Sequence, residues 1–194
     1  MFRSSGIGWR DRPETVVRRR WITLGHEGDT MGTAGIQLVR GIDPADLADD
    51  LDRLYCYEQV TVAWARALDN RLTGLAEIML EEPAREHAAL AERHAGRLAA
   101  RIAQLGGAIT ADPTRFAERA QVDGIDLPGE VGDLAPLSYA LVQEQKIIGR
   151  YGQLIDRVRG ADDVTERLLV SILSAKVAQE DELESGVAAG QSTV

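Results

Sequence analysis

Two of the three histidines, His87 and His94, fall on one helical stripe. His87, Ala91, His94, Leu98, Ile102 and Leu105 step by four, three, four, four and three, so all six side chains share one face of a helix. An imidazole in the middle of such a stripe faces a core, where it is either a hydrogen-bonded packing residue or a metal ligand. Other apolar stripes are also broken by polar side chains: Glu58, Glu144 and Lys176, the last followed one turn later by Gln179. An isolated buried charge is too costly to be incidental. One polar interruption at mid-length on the inward face of each of four helices therefore points to a single shared cluster.

The helices that must position these residues can be read from their punctuation. Asp43-Pro44 is an N-cap acid followed by a proline at the first helical position, and it opens a first helix running to about Leu72. Its inward stripe is Leu47, Leu51, Leu54, Glu58, Val62, Ala65 and Leu68 or Leu72. A second helix follows Thr73-Gly74, is kinked or restarted by Pro83, and closes at Gly106-Gly107. Residues 106–133 form a long connection with a short helix at Thr114 to Arg119 and turns at Asp123-Gly124 and Pro128-Gly129. The third helix spans about Leu134 to Arg159 with the stripe Leu137, Leu141, Glu144, Ile148, Tyr151 and Ile155. The fourth begins at Asp162-Asp163, with Glu166 placed to complete a cap, and ends near Gly186; its stripe is Leu169, Ile172, Leu173, Lys176, Gln179 and Leu183. Two hairpins joined by one long crossover specify an all-α four-helix bundle over residues 31–186, with a flexible tail at 187–194.

Composition narrows the functional classes. The chain has 194 residues, 44% hydrophobic and 27% charged, enough for one filled core. Its net charge of −9 argues against a generally basic nucleic-acid surface. No apolar run approaches the roughly 20 residues of a membrane span, and a cytoplasmic protein is expected. The single cysteine, Cys56, excludes an internal disulfide and a cysteine-built zinc site. Residues 1–30 show no periodicity and read as a disordered arm, or as sequence preceding a true start at Met31.

Several segments carry a resemblance to a family: MGTAGIQLVRGID before the first helix, EHA followed by RHAGRLAARIAQLGG in the second, LVQEQKIIGRY in the third and RLLVSILSAKVAQEDEL in the fourth. Together they resemble the ferritin-like proteins, most nearly the bacterioferritin-like branch of the DNA-protection-during-starvation (Dps) proteins. The resemblance implies a di-iron ferroxidase site, with one glutamate from each of the first and third helices and a Glu-x-x-His pair from each of the other two. Glu58, Glu144 and His94 match that ligand set. The remaining positions hold Ala91, Lys176 and Gln179, so both bridging carboxylates are missing. Two ferrous ions need four carboxylates for neutrality, whereas two carboxylates and an ammonium are present. An intact di-iron centre is not expected; a single weakly held metal on Glu58, His94 and Glu144 is the residual alternative. Otherwise Lys176 pairs with Glu58 and Glu144 while His94 and Gln179 complete the hydrogen bonds, with His87 capping the cluster.

Three functions follow as expectations. The first is a Dps-like cage subunit in iron storage or oxidative-stress protection, its own ferroxidase site lost or reduced. The resemblance favours a dodecamer, with a partner ferritin-like subunit as a further option. The second is an active ferroxidase using a non-standard or interface iron site. The third is a DNA-binding Dps-like protein using Arg3, Arg10, Arg12, Arg18, Arg19 and Arg20 as phosphate contacts, with weak, salt-sensitive binding. Tyr55, Tyr57 and Trp64 are expected to pack rather than relay electrons, and Cys56 to be inert.

Overall fold

The computed structural model describes residues 33–122 and 131–191. The arginines of residues 1–30 and the turns expected at Asp123-Gly124 and Pro128-Gly129 lie outside the described residues. A short helix, α1 (Thr33–Gln37), precedes α2 (Pro44–Asp69) and α3 (Gly74–Gln104). A 3-10 turn at Pro113–Arg115 then leads into α4 (Phe116–Ala120), followed by α5 (Ala135–Val158) and α6 (Asp163–Gln191). The four long helices form the expected bundle, with α2 packed on α3, α5 on α6, and α4 in the crossover lying against α2.

Helix ends follow local chemistry. Asp43 caps α2, its carboxylate accepting from the Ala45 N–H at 2.8 Å. Helix α3 ends in a Schellman motif: Gly106 takes a φ of +78°, its N–H donates to the Ala103 carbonyl, and the Gly107 N–H donates to Ile102. At Gly107 a Cβ would lie 2.7 Å from that of Ala48, so this glycine also lets the end of α3 approach α2. Asp112 caps the 3-10 turn through the Thr114 N–H.

Four expectations need correction. Pro83 does not restart the second helix; α3 is continuous through it, with the proline on an exposed face. Helix α6 does not stop near Gly186 but continues to Gln191, because isolated glycines weaken a helix without ending it. Asp162 alone caps α6, accepting from the N–H groups of Val164 and Thr165, while the Glu166 carboxylate faces Arg159 at 3.6 Å. On α5 the buried edge is rotated: Ala140, Glu144, Ile147, Tyr151, Leu154, Ile155 and Val158 are buried, whereas Leu137, Leu141 and Ile148 are only partly covered.

The core has two apolar parts. One gathers Leu47, Leu51, Leu98, Ile102, Tyr151 and Leu169 around the start of α2 and the end of α3. The other gathers Trp64, Leu68, Leu80, Ala88, Ala140 and Leu183 towards the opposite end. Glu58, His94, Glu144 and Lys176 fall at the junction, between the apolar residues that each helix contributes to the two parts. The first part is anchored by a buried ion pair, in which Arg101 donates to Asp162 at 2.6 Å and to the Thr165 hydroxyl at 2.8 Å. That pair ties the end of α3 to the start of α6.

Candidate functional site

The four long helices bring Glu58 from α2, His87 and His94 from α3, Glu144 from α5 and Lys176 from α6 into one cluster. Each position is set by the same periodicity that buries its apolar neighbours. Lys176 is the centre. Its Nζ lies 3.1 Å from Glu58 Oε1 and 3.3 Å from both carboxylate oxygens of Glu144. It also stands 5.3 Å from the centre of the Tyr57 ring, within reach of a cation-π attraction. Lys176 and Glu144 are 1% exposed and Glu58 is fully buried, so these charges are withdrawn from water and depend on one another.

The electrostatics are uneven across the pair. Burial works against both carboxylates, but at Glu58 the Lys176 charge, His94 and the Tyr151 hydroxyl outweigh it, and the pKa falls below the ordinary value. At Glu144 burial prevails over Lys176, with repulsion from Glu58 added, and the pKa rises. Burial also opposes the charge on Lys176, yet the two carboxylates hold its pKa above that of a free lysine. The ammonium is therefore fixed, and Glu58 is its more fully ionised partner.

The imidazoles stand slightly apart. His94 Nδ1 is 3.7 Å from Glu58 Oε2, and His87 Nε2 is 3.6 Å from Glu144 Oε1, too far for hydrogen bonds. Burial, reinforced by Lys176, lowers the pKa of His87 to about 4, so its ring is neutral at neutral pH. Tyr151 supplies the hydrogen bond expected of Gln179: its hydroxyl donates to Glu58 Oε1 at 2.8 Å. Gln179 is half-buried and joins no hydrogen bond of the cluster. Tyr151 was legible in the sequence only as a packing residue, although it lies seven residues from Glu144 on the same face of α5. Ala91 is buried and presents only a methyl group.

This donor set does not fit a di-iron centre. The ammonium makes the contacts with Glu58 and Glu144 that a bridging metal would make, and a divalent ion beside it would be repelled by several kcal/mol even at the effective dielectric of a protein site. Among the described residues no three His, Cys, Asp or Glu side chains are arranged to hold a metal ion. A metal on Glu58, His94 and Glu144 would have two of its three ligands already in contact with the Lys176 ammonium. Tyr55, Tyr57, Cys56 and Trp64 are buried in the apolar core, and burial pushes the Cys56 thiol up to about 11.

Four long helices, a crossover between two hairpins and a polar cluster at mid-length describe a bundle of the kind that builds its sites between facing helices. The chain belongs to the ferritin-like domain family, which matches residues 52–190. Among solved structures it is similar to the bacterioferritin-related protein from Bacteroides fragilis, described as a dodecameric thioferritin. The two are 22% identical, with a TM-score of 0.74, covering 83% of this chain and 98% of that one. It is also similar to Dps from Mycobacterium smegmatis in a tetragonal form, at 18% identity and a TM-score of 0.71, covering 78% and 92% of the two chains. Antigen TpF1 from Treponema pallidum gives 18% identity and a TM-score of 0.66, covering 75% and 96%. At these identities the likeness establishes the fold alone. No match was found among the curated proteins compared.

Proposed function

We propose that this chain is a subunit of a ferritin-like, Dps-like cage working in iron storage or oxidative-stress protection, and that the place of its intrasubunit ferroxidase site is held by Lys176. One observation carries this reading: the Lys176 ammonium lies 3.1 Å from Glu58 and 3.3 Å from Glu144. Iron is then cargo, handled on the surface of the assembly rather than oxidised between the helices. Homo-oligomerisation is supported by the exposed apolar side chains of Leu75, Ile78 and Met79 on α3, Val142 on α5, and Val170 and Val177 on α6. A dodecamer follows by analogy with the Bacteroides fragilis protein.

The test compares ferrous-dependent oxygen consumption of the parent with that of the combined variant Ala91→Glu, Lys176→Glu and Gln179→His. The parent should consume oxygen no faster than free ferrous iron, and the combined variant should gain both iron binding and oxidation. Rapid oxidation by the parent, unchanged in the variant, would overturn this reading in favour of a non-standard or interface iron site. Salt-sensitive retention of DNA that is lost on replacing Arg3, Arg10, Arg12, Arg18, Arg19 and Arg20 would support the nucleic-acid alternative instead.

A further inference from the structure

A small cavity lies between α2, α3 and α5, beside the cluster. Its wall includes Tyr57, Thr61, Trp64, His87, Tyr139 and Gln143, and its volume is about 20 Å3. By that measure a water needs roughly 10–15 Å3, so the space has room for a water-sized molecule. Two residues of its wall are more than nine-tenths buried and each carries a nitrogen with no hydrogen-bond partner within the protein: Trp64 Nε1 and His87 Nε2. The two rings meet edge to face, with centroids 6.3 Å apart. Buried polar groups are almost always satisfied, so two orphaned nitrogens on one otherwise largely apolar wall call for a partner.

The wall also states what the occupant must be. An indole N–H only donates, so the molecule must accept; a neutral imidazole presents one donor and one acceptor, so it can also receive a hydrogen bond. Thr61 and Gln143 add a hydroxyl and an amide to the same wall, so the polar groups at hand reach the two to four that a buried water uses. Charges of both signs stand behind His87: Glu144 from α5, Lys176 from α6 and Glu58 from α2. A net charge in the cavity would therefore be attracted and repelled at once, and a neutral molecule is favoured. We propose that this cavity is a binding site for a single internal water, held by the Trp64 indole and lodged between the wall of the bundle and the buried cluster. The site is independent of whether the cage handles iron.

The test uses ultraviolet resonance Raman spectroscopy of the full chain carrying Trp9→Phe and Trp21→Phe, so that Trp64 is the remaining indole. The indole N–H band should show a hydrogen-bonded group. Adding Ala140→Val, at another residue of the cavity wall, narrows the space without altering Trp64 or His87 and should move the band to the unbonded position. An unbonded indole before that change, or a bonded one unaffected by it, overturns the proposal. Should the valine variant not fold, a high-resolution crystal structure of the parent decides. A water within hydrogen-bond distance of Trp64 Nε1 sustains the site, and a dry cavity refutes it.

Discussion

Removing the Lys176 charge leaves Glu58 and Glu144 facing one another in a low-dielectric core. Lys176→Ala should therefore cost on the order of 3 kcal/mol at pH 7, within the range for breaking a buried ion pair. The deficit relative to the parent should shrink at lower pH, as Glu144, whose pKa is already raised, takes up a proton. Urea denaturation at pH 7 and pH 5 measures both effects, and equal stability of variant and parent at pH 7 would count against the cluster as described. His87 adds a second pH dependence. Its pKa is depressed from 6.5 to about 4 in the folded state, so below pH 6.5 the unfolded chain binds the proton first. Stability is thus lost as pH falls from about 6.5 to about 4, by on the order of 3 kcal/mol, and Glu58, with its lowered pKa, loses its contribution in the same direction. Replacing His87 with phenylalanine should flatten this acid limb in a series of denaturation curves. Glu58, Glu144, Lys176 and both histidines could be picked out beforehand because each breaks an apolar stripe. Tyr151 could not, since a tyrosine on a stripe satisfies the apolar pattern whatever its hydroxyl does.

Between residue and molecule, the helix ends and close approaches set the bundle's geometry. Arg101→Leu would leave the Asp162 carboxylate buried without its partner at the junction of α3 and α6, and a loss of about 3–5 kcal/mol is expected. Gly107→Ala would drive a methyl group into Ala48, with an expected cost of about 1–3 kcal/mol from overpacking. Thermal denaturation of the two variants checks these values. The starts of α2 and α6 and the end of α3 were legible because capping acids and glycines mark them chemically. The course of α3 through Pro83 was not, since a proline removes one hydrogen bond of its own helix and crowds the carbonyl one turn back, and the sequence does not say whether the helix absorbs that defect or ends at it. In α5 hydropathy points to a different phase for another reason: its buried edge runs through Ala140, a small residue that hydropathy scarcely registers, while the larger Leu137 and Leu141 sit at the margin.

At the scale of the molecule, the apolar side chains left exposed on α3, α5 and α6 predict a closed oligomer, and a monomeric mass in analytical sedimentation would contradict it. The fold as a whole was legible because two hairpins and a long crossover leave few ways to bury four amphipathic faces. Lys176 also changes what the bundle depends on. In a metalloprotein the cation between the helices is exchangeable, and its occupancy follows the free concentration outside. Here the cation is covalently part of the chain, with no dissociation constant and no response to supply. Exhaustive chelation should leave the melting temperature of the parent unchanged. The combined variant, given carboxylates in place of its ammonium, should become metal-dependent and melt lower after chelation. A subunit built this way would fold and assemble equally well in iron starvation and in iron excess.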